Sequence, residues 1–293
     1  MRLAAIDIGT NASRLLISEV TVNGDGLASF NKLNLVRVPL RLGFDVFETG
    51  EISKAKKHMI LQTMKAYAHL MNAYGVDKSI AVATSAMRDA KNRNEVVRKI
   101  FLETGINIKV ISGDFEASLI YESHVAENLT DSNNYLYVDV GGGSTEITFF
   151  SNNTLVYKRS FNIGTIRLLK NMVTDADWQE MKDALRENLR GQKNTIAIGT
   201  GGNINKVFSL SKKKDGKPLH IDMLKDYYKE FSSCTLEDRI RLYTMRPDRA
   251  DVIVPALMIY LQVMKWGNME EILVPQIGLA DGLIQHLYAN AKA

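Results

Sequence analysis

Cysteine occurs once, as Cys234, so no disulfide can form within the chain and a bridge-stapled scaffold is excluded. A reducing, cytoplasmic setting is the expectation. Proline is scarce, with five residues in 293, which excludes a proline-rich or collagen-like chain. No apolar run reaches the ~20 residues that span a bilayer, and Asp7 interrupts the N-terminal apolar run before a leader could form. His58, His69, His124, His220 and His286 show no metal-ligand spacing, and nothing matches HExxH or CxxC. What is present is a 45% hydrophobic, 24% charged composition, that of a soluble globular protein with one large domain or two ordinary ones. A net charge of +4, with basic runs at Lys54–Lys57 and Lys212–Lys214, leans toward an anionic ligand, although such runs are commonly solvated faces.

The chain is organised around Tyr137–Phe150, YVDVGGGSTEITFF, which has a weaker double at its N-terminus. In both, an apolar run leads to an Asp (Asp7, Asp139), one β-branched residue and a glycine-containing turn. Strand-like residues follow each turn, from Arg14 to Val20 and from Glu146 to Phe150. A P-loop or dinucleotide fingerprint opens a helix at this point, so the pattern predicts strand–turn–strand instead. Glycine admits backbone angles closed to other residues and lets bare N–H groups approach a ligand. Successive N–H groups in such a turn suit a phosphate oxygen. Gly9, Thr10, Asn11 and Ser13, and Gly141, Gly142, Gly143, Ser144 and Thr145, are therefore candidate phosphate donors. One such turn alone is better read as an ordinary turn; duplication favours a pair that grips a polyphosphate.

Between and beyond the hairpins, strand and helix patterns alternate. Helices are expected over Ile52–Ala73, Asn94–Glu103, Ala117–Val125, Asp175–Leu189, Asp222–Ser232, Leu236–Tyr243, Val252–Met264 and Asp281–Ala291. Strands are expected at Leu27–Leu40, Ser79–Thr84, Ile108–Ile111, Thr154–Ser160, Thr195–Ile198 and Glu271–Val274. A polar break at Thr130–Asn134 is the first candidate boundary. A third glycine turn, Gly199, Thr200, Gly201 and Gly202, does open a helix, Ile204–Leu210, and is a candidate anion or nucleotide seat.

Glu116 follows a strand end near the start of a helix capped by Ser112 or Asp114. There it could take a proton from attacking water, or simply satisfy the helix dipole. Arg88 could fork onto phosphates, or pair with Asp89 or Glu95. Asp7 and Asp139 could hold a cation or cap their own turns, and Glu146 could be a polar edge residue.

IDIGTNASRLLI, ATSAMRDAKN, ISGDFEASLIY, YVDVGGGSTEI, IAIGTGGNI, RPDRADVIVPA and IGLADGLI stand in the order found in one family. The chain resembles the Ppx/GppA phosphatases, exopolyphosphatase and guanosine pentaphosphate phosphohydrolase. They belong to the superfamily of actin, sugar kinases and heat-shock chaperone ATPases. The resemblance implies an α/β fold of two actin-like (ribonuclease H-like) domains with an interdomain cleft. The expected domains are residues 1–128 and 129–293, with a C-terminal helix at about 281–293 packing back on the first. It implies removal of a terminal phosphoryl group from inorganic polyphosphate or guanosine pentaphosphate, assisted by Mg²⁺ or Mn²⁺. By the same resemblance Glu116 activates water, Asp139 with Glu146 and Asp7 holds metal or water, and Arg88 and Gly141–Thr145 bind phosphate. A homodimer is the assembly it suggests, with neither a nucleic acid polymer nor a membrane as partner. Departures from the family pattern are Ala12 for Ser, Phe115 for the first of two glutamates, Asn203 for Thr, and Pro275-Gln276 and Ala280-Asp281 near the end. An ATP-dependent kinase of the same fold, or a non-catalytic sensor of the same phosphates, is the rival reading; phosphate release to water alone separates the three.

Overall fold

Strand–turn–strand forms at both Asp-containing motifs. The computed structural model describes residues 1–24, 26–124, 134–152, 154–192, 194–275 and 277–292. The chain divides into two units, Met1–His124 with Gly278–Ala293, and Val125–Ile277. The expected boundary at 128/129, most of the polar break, the last residue of the Ala117–Val125 helix and Gln276 lie outside the described residues.

In the first unit β1 (Arg2–Ile8) pairs antiparallel with β2 (Ser13–Val22), which pairs with β3 (Ala28–Val38). Two helices follow, α1 (Leu42–Thr49) and α2 (Lys54–Ala73), where a single helix from Ile52 is expected. Ser53 separates them, its hydroxyl accepting from Lys56 N as the N-cap of α2. β4 (Lys78–Ala83) runs parallel to β1 and leads into the short helix α3 (Ser85–Asp89) and α4 (Arg93–Thr104). β5 (Ile108–Val110) then leads to α5 (Gly113–His124). The sheet order is β3-β2-β1-β4-β5. Both faces of β1 are covered, and Leu3 through Ile6 are fully buried. The closing helix, Leu279–Lys292, belongs to this unit and places Leu283 and Ile284 against Leu3, Leu16 and Leu119.

The second unit repeats the plan. β6 (Asn134–Val140), β7 (Thr145–Ser151) and β8 (Thr154–Phe161) form the antiparallel half, followed by a short helix α6 (Thr165–Leu169) and by α7 (Asp175–Asn188). A capping box holds the start of α7, Thr174 and Asp177 each accepting from the other's backbone N–H. β9 (Thr195–Thr200) runs parallel to β6 and opens α8 (Gly202–Ser211). β10 (Leu219–His220), α9 (Ile221–Ser233), α10 (Leu236–Leu242), α11 (Pro247–Ala250), α12 (Ile253–Trp266) and β11 (Glu271–Leu273) complete it. The order β10-β11-β9-β6-β7-β8 repeats the first sheet with β11 in the place of β5 and one edge strand added. α12 is apolar nearly all round, as a helix must be when sheet and helices cover it, and Ile253, Ile259, Val263 and Met264 are completely buried. Each unit thus carries the strand order of an actin-like, ribonuclease H-like domain. Among the described residues no helix is long and apolar enough to cross a membrane.

Candidate functional site

The two hairpin turns share one hydrogen-bond design. Gly9 N–H donates to Ala12 O at 3.0 Å, and Gly141 N–H donates to Ser144 O at 2.9 Å. A side chain at either glycine would crowd that carbonyl, with a Cβ only 3.2 Å from Ala12 O or 3.0 Å from Ser144 O. The helix after the third strand then takes up two more carbonyls of each turn. Arg41 and Gly43 N–H, at the start of α1, donate to Asn11 and Thr10 O at 2.8 and 3.0 Å. Thr165 and Ile166 N–H, at the start of α6, donate to Gly141 and Gly142 O at 3.0 and 2.8 Å. Carbonyls turned into the protein orient the turn's other N–H groups toward another acceptor, which a phosphate oxygen can be.

Within the first unit, the carboxyl ends of three parallel strands bring the expected residues to one edge of the sheet. β1 ends in Asp7, Ile8 and Gly9, β4 in Thr84 and Ser85, and β5 in the approach to Ser112. Thr10 Oγ1 accepts from Ala86 N–H at 3.2 Å and ties the hairpin to α3. Arg88 Nη1 donates to Ile111 O at 2.8 Å, so its guanidinium braces the residue before the cap of α5, while Glu95 pairs with Lys57. Ser112 Oγ accepts from Phe115 N–H at 3.2 Å and is the cap. Glu116 follows in the first turn with its N–H on Ser112 O, and the residue is 8% exposed. Asp7 is buried and faces Arg14 across the ladder, with Nη1 to Oδ2 at 2.8 Å. Burial raises its pKa, and the charge of Arg14 pulls the other way.

Within the second unit, Asp139 pairs with Glu146 in register across β6 and β7. Glu146 is 3% exposed and its Oε1 accepts from the hydroxyls of Ser144 and Ser160, both at 2.7 Å. Thr145 points away from its turn, its hydroxyl donating to Ile163 O at 2.6 Å, so this residue braces the hairpin through its side chain. The third glycine turn lies against Asp139: a Cβ on Gly201, whose φ is +103°, would sit 3.1 Å from Asp139 Oδ1. Tyr260 donates to Thr200 O, and its hydroxyl pKa is raised by burial and next by the charge of Asp139. Gly199 faces Ile272 and Ile204, so its lack of a side chain serves packing.

Buried hydroxyls of Ser13, Ser85 and Thr200 find no partner in the described protein. Unsatisfied buried polar atoms are few in native proteins, and two at candidate turns with a third at the start of α3 suit a polar ligand. Two hard carboxylates opposed across a ladder likewise suit a small divalent cation, which takes oxygen ligands.

Two residues had no role in the sequence reading. Arg167 Nε donates to Gly143 O at 2.7 Å and fixes the glycine turn from behind. Arg249, in the Arg246-Pro247-Asp248-Arg249 run, lies over Gly202, where any Cβ would fall inside the guanidinium, and its Nη1 lies 3.4 Å from Asn203 Oδ1. Each arginine stands at the start of a helix after a turn, and that placement is the signal that could have flagged them.

Two actin-like units, each presenting an Asp-led glycine hairpin with donor groups at the sheet's carboxyl edge, define a phosphate-handling protein of the actin-like superfamily. The model of the Ppx/GppA phosphatase family matches residues 23–291, and the chain belongs to that family. It is 28% identical to the bifunctional 3-dehydroquinate synthase/phosphatase of Fusobacterium nucleatum over 93% of the chain, and spans only 44% of that protein's length. It is 28% identical to exopolyphosphatase 2 of Mycobacterium tuberculosis, covering 96% of this chain and 97% of that one. The crystal structure of the Aquifex aeolicus Ppx/GppA family member superposes with a TM-score of 0.76 at 26% identity, covering 99% of this chain and 98% of the other.

Proposed function

We propose that the chain is a phosphoanhydride hydrolase that releases the terminal phosphoryl group of inorganic polyphosphate to water with the help of Mg²⁺ or Mn²⁺. The observation that carries this is the duplicated hairpin, whose carbonyls are tied back by a helix start in both units. Phosphoryl transfer asks for positioning, charge neutralisation and an oriented nucleophile, and the residues divide among these tasks. N–H groups of Thr10 and Asn11 in the first unit and of Gly142–Ser144 in the second, with the hydroxyls of Ser13 and Ser85, bind phosphate oxygens. Glu116 accepts a proton from the attacking water through a carboxylate oxygen. The third turn, with Arg249 over Gly202, offers donors to the leaving portion.

Asp139 and Glu146 are the residues that would hold the divalent cation. Bound there, the cation would neutralise charge on the phosphoryl oxygens. The hydroxyls of Ser144 and Ser160 keep Glu146 aimed in that role. Asp7 differs, because Arg14 already neutralises it. In this reading Asp7 fixes the first turn rather than ligating metal. Exopolyphosphatase 2 of M. tuberculosis, matched over nearly its whole length, supports polyphosphate as substrate. Guanosine pentaphosphate presents the same terminal anhydride and is the second substrate to test.

The experiment is a phosphate-release panel with tripolyphosphate, long polyphosphate, guanosine pentaphosphate and ATP, each with and without Mg²⁺. Release from polyphosphate with water as sole acceptor supports the proposal. Turnover that requires ATP and a second acceptor, or binding without release, would replace it with the kinase or the sensor.

A further inference from the structure

The basic run at Lys54–Lys57 takes no part in the reaction proposed above. α2 is a 20-residue helix that begins with lysines and carries no acidic residue in its first turn. Cations at a helix N-terminus oppose the macrodipole, an opposition that Asp45 offsets in part, its Oδ2 accepting from Ser53 N–H at 3.3 Å. Lys56 is drawn off to Leu40 O at 2.6 Å, but Lys54 and Lys57 line a cavity of about 610 Å³ together with Ser53, His58, Glu95 and Lys99. That volume lies in the ordinary range of small-molecule sites, about 300–1,000 Å³. Among its charged residues, the three lysines face two glutamates, Glu51 and Glu95, and Glu95 is already engaged with Lys57 Nζ at 2.8 and 2.9 Å.

The walls are held before any ligand arrives. Asn92 grips both backbone groups of Ile52, accepting from its N–H at 3.0 Å and donating to its carbonyl at 2.9 Å. Lys91 N–H donates to Gly50 O at 2.9 Å. The loop entering α2 is thereby fastened to the segment entering α4, which carries Glu95 and Lys99. Preformed walls reduce the ordering needed on binding. In the first turn, Ser53 Oγ and O take up the N–H groups of Lys56 and Lys57. The N–H groups of Lys54 and Ala55 have no intrahelical acceptor.

We propose that this cavity of the first unit binds a multiply charged phosphate tail, of an inorganic oligophosphate or of a nucleoside triphosphate, at a site separate from the hydrolytic residues. Lys54 and Lys99 supply the charge, with the Lys54 and Ala55 N–H groups as directed donors. Glu95 competes with the ligand for Lys57.

The test is amide NMR of the full-length chain carrying Glu116→Gln, titrated with tripolyphosphate, and in parallel arms with guanosine triphosphate and inorganic phosphate. Saturable shifts are expected at residues 53–58 and 95–99. Affinity should fall about tenfold or more in Lys54→Gln/Lys99→Gln, since charge-assisted bonds to phosphate are lost. Glu95→Gln should instead tighten binding by releasing Lys57, an opposite sign that general damage to the fold would not give. Equal response to tripolyphosphate and guanosine triphosphate assigns recognition to the tail; response to guanosine triphosphate alone assigns it to the nucleotide. Absence of saturable shifts at residues 53–58, or unchanged affinity in the double variant, would overturn the proposal, whatever the panel of phosphate release shows.

Discussion

Arg14 occupies, opposite Asp7, the register position that Glu146 occupies opposite Asp139. The duplicated hairpins are therefore matched in backbone and opposite in charge. In the first, the Asp is neutralised by a guanidinium whose Nη1 stands 2.8 Å away. In the second, a carboxylate stands opposite a carboxylate in the same register, a pair of oxygen ligands of the kind a small divalent cation takes. One fold element, used twice, carries an ion pair in one unit and, in the other, the two carboxylates proposed above to hold the cation.

That difference gives a stability prediction for Asp7. Its pKa is raised in the folded protein, chiefly by burial. A group with a raised folded pKa contributes stability that is fully present below its unfolded pKa and lost as pH rises through the folded one. Wild-type protein should thus lose stability relative to Asp7→Asn between acid and neutral pH. Thermal unfolding of both at pH 4 and pH 7 is expected to show the difference shifting in favour of the variant at pH 7, while its phosphate release falls. A difference that is flat with pH would contradict the reading.

Ser160 offers a way to perturb Glu146 without touching it. The Ser160 hydroxyl donates to Oε1 at 2.7 Å from the neighbouring strand. Removing such support typically weakens metal binding by about 10–100-fold. Ser160→Ala should raise the Mg²⁺ concentration needed for half-maximal phosphate release by about that factor, with the maximal rate recovered at high Mg²⁺. An unchanged Mg²⁺ requirement would remove Glu146 from the cation's ligands.

Gly164 has no room for a side chain. A Cβ there would stand 2.6 Å from Gly142 O, in backbone that cannot yield without opening the turn. Overpacking of this kind costs about 1–3 kcal/mol. Gly164→Ala should lower the unfolding midpoint and depress phosphate release further than the loss of folded protein explains. Normal activity per folded molecule would show that the helix start does not shape the turn.

The sequence made the hairpins visible because β-branched and aromatic residues follow each glycine turn, where a nucleotide-binding helix would need other types. The parallel strands were equally legible, and so was a cap at Ser112 or Asp114, which the structure assigns to Ser112. Short helices were not. α6 has five residues, too few for a 3.6-residue period to show, and α1 follows Arg41, a non-glycine residue at φ 54° whose side chain does not cap it. Arg41 is instead steadied over the ring of Phe44, 4.1 Å from its centroid, a contact that no local pattern announces. The direction taken by Arg88 was hidden for a related reason. Its acceptor, Ile111 O, lies 23 residues away in sequence and meets it only after β4 and β5 have paired. Glu116 and the Asp-led turns were legible as candidates; the backbone ties from α1 and α6 that hold those turns were not.

The proposed mechanism rests most heavily on Glu116, and its replacement is the most direct measurement. Glu116→Gln keeps the size and polarity of the side chain and removes only its ability to accept a proton. Single-turnover phosphate release from tripolyphosphate with saturating Mg²⁺ is predicted to fall by about 10²–10⁴-fold, with tripolyphosphate affinity nearly unchanged. Release at the wild-type rate by the variant would contradict the account.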